Sequence, residues 1–160
     1  MQEGDGTVHT EGSTRVIRFE RQLRGSRDQV WRALTDQDQR ARWLFDGSIS
    51  LEVGGALALD DPGHGVSGTV TDVVPGETLS FTWSSQDAAD SDASFVLADA
   101  PGGTLLRLTH TVRVGNVGAL MAAWHYVLDD LAQLLETGDL TPTPGRFQQL
   151  TARYAGLETP

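Results

Sequence analysis

The longest periodic feature of the chain is V-G-A-L-M-A-A-W-H-Y-V-L-D-D-L-A-Q-L-L-E, residues 117–136. Leu120, Trp124, Val127, Leu128, Leu131, Leu134 and Leu135 fall on one helical face, and Ala122, Asp129 and Gln133 fall opposite. A helix this long with one apolar side has to cover another element, and Gly138 supplies a C-terminal stop. What precedes it decides what it covers.

What precedes it alternates with a period of two. In L79-S80-F81-T82-W83-S84, Leu79, Phe81 and Trp83 point one way and the hydroxyl residues the other. The same alternation places Leu106, Leu108, His110, Val112 and Val114 on one face. Strands are expected near 46–52, 55–60, 66–74, 78–84, 93–99 and 103–114, joined by short turns that favour an antiparallel meander. Pro75-Gly76 suits the centre of a type II turn, with Pro presetting the first φ and Gly taking the positive second one.

An earlier strand begins at Thr14, with Ile17, Phe19, Arg21 and Leu23 on one face. Ser26 then reads as an N-cap with Asp28 and Gln29 in the first turn, and Val30, Trp31 and Leu34 form a stripe that packs this helix onto the sheet. Thr35 or Asp36 caps a second short helix. Residues 1–13 are expected to be a disordered leader, 14–137 a single domain, and 138–160 an extension carrying a short amphipathic helix over 146–154.

Strand, two short helices, six strands and a long helix make an α+β helix-grip fold. A curved antiparallel sheet of about seven strands wraps the C-terminal helix and leaves a space wherever the inward side chains do not fill it. The pieces V-W-R-A-L-T-D, R-W-L, G-T-V-T-D-V-V-P-G-E-T-L-S-F-T-W, L-L-R-L-T-H and A-W-H-Y-V-L-D-D-L-A-Q-L-L-E resemble, in order and spacing, the heat-shock-protein-90 ATPase activator homologue-like family. That family lies within the superfamily of START domains, pathogenesis-related proteins and polyketide cyclases. The resemblance covers about residues 14–137 and implies the helix-grip fold with a hydrophobic cavity. It implies no single activity, because the superfamily includes lipid carriers, hormone receptors, aromatase/cyclases and co-chaperones.

The residues expected to line that cavity are Trp43, Phe45, Phe81, Trp83, Phe95, Trp124 and Leu128, with His110 and Arg21 as its polar groups; the aromatic rings are read equally as filling the core and leaving no pocket. His110 is read either as a ligand-orienting imidazole or as a buried ring satisfied by a backbone carbonyl or a Trp. Arg21 is read as an anchor for an anionic head group, or as paired with an acid at the strand end. His125 and Asp129 read as a surface i, i+4 pair, and His64 beside Asp60 and Asp61 as a plain glycine turn.

Composition narrows the functions. The chain has no Cys, which removes disulfides, thiol nucleophiles and thiolate metal sites. Its net charge is −10, which disfavours nucleic acid and anionic membranes. No stretch approaches a membrane span and no signal peptide is apparent, so a cytoplasmic location is expected. The expected function is non-enzymatic binding of a small hydrophobic or aromatic molecule, with no cofactor and no metal. The alternatives are a polyketide cyclase/aromatase-like enzyme using His110 and Arg21, and a co-chaperone or regulatory module with a protein partner. A homodimer stays open, because the 146–154 helix docks either on its own domain or on a second copy, burying Phe147 and Tyr154 in both cases.

Overall fold

A computed structural model describes residues 5–44, 46–61, 64–85, 88–141 and 143–155. The strands are β1 (Thr7–Glu11), β2 (Thr14–Arg24), β3 (Asp46–Ile49), β4 (Ala56–Asp61), β5 (His64–Val74), β6 (Thr78–Trp83), β7 (Ala88–Ala89), β8 (Ser91–Ala100), β9 (Gly103–Val112) and β10 (Val114–Gly115). The helices are α1 (Arg27–Thr35) and α2 (Gln37–Arg40) after β2, then α3 (Val117–Thr137) and α4 (Arg146–Tyr154). Eight strands form one antiparallel sheet in the order β1-β2-β9-β8-β6-β5-β4-β3, and β10 and β7 form a small separate pair. The fold is the helix grip. The extra edge strand is β1, which lies inside the stretch expected to be a disordered leader. T-V-H-T-E alternates too weakly to announce a strand, but a two-residue connection folds it back on β2, Val8 against Ile17.

Local chemistry explains the elements. Ser26 Oγ accepts from the Gln29 amide and the Gln29 side chain accepts from the Ser26 amide, closing a capping box on α1. Asp36 caps α2 through Gln39. At Pro75-Gly76 the amide of Glu77 donates to the Val74 carbonyl at 2.9 Å and Gly76 has φ +78°, the type II geometry. The register of β5 on β6 shifts between Val70 and Asp72. Just before that shift, Gly68 lies against the Thr82 backbone so closely that a Cβ would strike its carbonyl oxygen. A bulge with a glycine beside it lets the sheet bend around α3.

α3 lies in the concave face. Leu120, Met121, Trp124, Leu128 and Leu131 are buried against Phe19, Phe81, Phe95, Leu106 and Leu108 from the sheet. Trp31 packs partly buried against the same core. α4 covers a further flank of α3 with Leu150 and Tyr154. This explains three departures from expectation. Ala122 and His125, read as lying off the apolar face, are buried, because α4 supplies a second buried side. Phe147, expected to be buried, is 44% exposed, because only Leu150 and Tyr154 of α4 turn inward.

Arg40 is fully buried and ties the helix pair to β3. Its guanidinium donates to the carbonyls of Leu34 (3.3 Å), Thr35 (3.2 Å) and Gly47 (2.7 Å). No helix among the described residues is long and apolar enough to cross a membrane.

Candidate functional site

Alternation in β6, β8 and β9 brings Phe81, Trp83, Phe95 and His110 to one patch of the concave face, and the stripe of α3 lowers Trp124 onto it. Ring centroids are 5.3 Å apart for Trp83 and Trp124, 5.4 Å for Trp83 and His110, 5.8 Å for Phe95 and Trp124, and 6.1 Å for Phe81 and Phe95. These are ordinary separations for tilted and edge-to-face packing, so the rings fill this part of the interior. Leu128 is fully buried in the same core.

His110 is saturated. Trp124 Nε1 donates to His110 Nδ1 at 3.0 Å. Nδ1 is therefore an acceptor and the ring proton sits on Nε2, which donates to Ser91 Oγ at 2.7 Å. The Ser91 hydroxyl donates onward to the Trp83 carbonyl at 2.8 Å. Trp83 Nε1 meets Ser85 Oγ at 2.9 Å. Burial pushes the His110 pKa down to about 4, only partly offset by Asp92. The ring is neutral at pH 7, and both of its nitrogens are engaged within the fold. Ser91 went unnoticed in the sequence because the strand was expected to start at 93. The signal was there, since Ser91, Ala93, Phe95 and Leu97 alternate on one face.

Arg21 and Trp43 lie elsewhere. Ile17 pairs with His110 and Arg21 with Leu106, so Arg21 is four residues further along β2, about 13 Å from the His110 row. Its guanidinium binds Asp129 at 2.6 Å. Arg146 holds the other Asp129 oxygen at 3.0 Å, and His125 Nε2 lies 3.5 Å from that same oxygen. The Gly6 amide donates to the Tyr154 hydroxyl at 3.1 Å, and that hydroxyl and His125 Nδ1 share a hydrogen bond of 2.7 Å. Burial lowers the His125 pKa. The expected surface pair is therefore the centre of a half-buried network joining β2, α3 and α4. Trp43 is buried under α1, where its indole donates to the Ala33 carbonyl at 2.9 Å. Phe45, and the side chains of Asp60, Asp61 and His64, lie outside the described residues.

Beside the ring cluster is a small cleft lined by Leu44, Trp83, Leu120, Ala123, Trp124 and Val127, with a volume of about 30 Å³. Every lining side chain is apolar, apart from two indoles whose N–H groups are already bonded, Trp83 to Ser85 and Trp124 to His110.

A concave sheet gripping a long helix, with an apolar cleft where the two meet, defines a helix-grip domain. The chain belongs to the family described as activator of Hsp90 ATPase homolog 1-like protein, whose profile matches residues 24–136. Solved structures agree. A conserved protein of unknown function, EF2215 from Enterococcus faecalis, is 26% identical with a TM-score of 0.81, over 95% of this chain and 89% of its own. CalU16 from Micromonospora echinospora is 24% identical with a TM-score of 0.76, over 97% and 96%. DynU16, described as a putative protein in the dynemicin biosynthetic locus, is 27% identical with a TM-score of 0.71 over 78% of this chain, which spans only 48% of DynU16. No curated protein matches the chain.

Proposed function

We propose that the protein binds a small hydrophobic or aromatic molecule, without transforming it, at the cleft between Trp83 and the first half of α3. The observation that supports this reading is the lining itself: Leu44, Leu120, Ala123 and Val127 surround two indole faces whose polar atoms are satisfied elsewhere. Such a surface rewards apolar burial, roughly 25 cal/mol per Å² removed from water, and offers a flat ring two aromatic faces. The volume of about 30 Å³ is smaller than a ligand site in use. A ligand of more than a few atoms therefore enters with outward rotation of Leu44 and Val127, both partly buried at the edge of the core. DynU16 belongs by its description to a biosynthetic locus, a setting in keeping with small-molecule work.

A cyclase-like reaction needs two polar groups within reach of one substrate. His110 has both nitrogens committed and Arg21 is about 13 Å away along β2, so the geometry favours binding over catalysis.

The test is native mass spectrometry of the freshly purified protein, followed by titration with 1-anilinonaphthalene-8-sulfonate. Ala123→Phe fills the cleft from a partly exposed position. A co-purifying mass or a saturable dye response, lost or weakened about tenfold in Ala123→Phe, is the expected result. A clean apo mass together with a dye response that Ala123→Phe leaves untouched would sink the proposal.

A further inference from the structure

A different flank of α3 carries a larger concavity. Tyr126, Asp129, Asp130, Gln133 and Glu136 form its floor, and Thr141, Thr143 and Arg146 its wall, around a volume of about 550 Å³. It continues into a second concavity of about 300 Å³ that shares Tyr126, Thr143 and Arg146 and is edged by Pro144 and Phe147. At that junction the Tyr126 and Phe147 rings stack edge to face at 5.6 Å, and Phe147 is 44% exposed.

The charges along this groove are not balanced. Asp129 is held by Arg21 and Arg146. Asp130, partly buried beside it, pairs with no cation among the described residues, and the chain contains no Lys to reach it. Among the described residues Glu136 has only Arg24 at 4.0 Å, both more than half exposed, a pair that water and salt largely screen. The whole of residues 43–160 holds four Arg against fifteen acids.

We propose that this groove receives a basic, extended segment of a partner protein, with an Arg or Lys side chain beside Asp130 and Glu136 and a neighbouring apolar side chain on the Tyr126–Phe147 pair. Burial and the Asp129 charge raise the Asp130 pKa, as befits a carboxylate that lacks a counter-ion. A guanidinium stem lying over apolar surface, with its head at a carboxylate, is a common use of Arg at interfaces.

The experiment is fluorescence anisotropy with a fluorescein-labelled peptide of alternating Arg and Leu, against the same length of alternating Glu and Leu. Binding of the basic peptide alone is expected, weakened about tenfold by Asp130→Asn with Glu136→Gln, and about threefold by Phe147→Ala. Asp28→Asn with Glu20→Gln removes equal charge from exposed sites elsewhere and is expected to change affinity less than about twofold. Absence of binding, or equal weakening by the two double variants, overturns the proposal, the latter because attraction is then to net charge and not to the groove. Self-association in sedimentation that is lost in Asp130→Asn with Glu136→Gln also overturns it, in favour of a second copy as the occupant.

Discussion

Trp124 Nε1 lies 3.0 Å from His110 Nδ1, and this one bond settles which nitrogen of the imidazole carries the proton. The long helix is thereby fastened to the sheet by a polar tie inside an aromatic cluster. Trp124→Phe keeps a ring in place and removes the donor, leaving a buried acceptor unpaired. The expected cost is about 2 kcal/mol, read from the urea midpoint at an unchanged m-value. A variant within about 0.5 kcal/mol of wild type would mean that the bond adds nothing net.

The same imidazole gives a pH dependence with a definite sign. His110 titrates at about 4 in the fold, against about 6.5 in an unfolded chain. Between these values the unfolded state binds more protons, so stability is full above about pH 6.5 and falls as the pH drops toward 4. The whole effect is of order 3 kcal/mol. His125 is also lowered by burial and contributes in the same direction. Stability measured from pH 7 to pH 4 is expected to fall less steeply in His110→Asn than in the wild type. Parallel profiles would remove His110 as a cause.

Tyr154 joins two distant parts of the chain through one hydroxyl. Tyr154→Phe is expected to cost about 1–3 kcal/mol, because it orphans both the Gly6 amide and His125 Nδ1 in a largely buried place. Hydrogen exchange should show residues 6–11 and α4 losing protection together. Loosening of α4 alone would show that β1 does not depend on it.

Arg40 predicts a difference between two cations. Arg40→Met leaves the carbonyls of Leu34, Thr35 and Gly47 without their donor, and a loss of about 3 kcal/mol is expected. Arg40→Lys is expected to recover less than half, since one ammonium cannot span acceptors that the planar fork reaches on both sides. Full recovery by Lys, in thermal unfolding, would reduce the role of Arg40 to its charge.

The strands that alternate cleanly, β6 and β9, and the helix with the longest period, α3, were readable because burial on one face leaves a periodic record. α4 was legible over 146–154 for the same reason, but the depth of its docking was not. Phe147, Leu150 and Tyr154 read alike on a helical wheel, and only the shape of the α3 surface decides that Phe147 stays out. β1 was missed because an edge strand owes its place to one neighbour and carries little apolar signal. In the candidate site the aromatic ring set was visible as composition plus alternation. The destination of each polar group was not. His110 and Ser91 come from different strands, and Arg21 and Asp129 are 108 residues apart, so only the register joins them.

The bond between Gly6 and Tyr154 spans 148 residues. During synthesis the amide that begins the edge strand waits in water until nearly the whole domain has left the ribosome. The sheet and the helix it grips lie between these two residues in sequence, so the clasp over the helix flank cannot close until Tyr154 is in place. One hydroxyl thereby joins the approach to the edge strand to the last helix, and closing it brings the two ends of the described fold together.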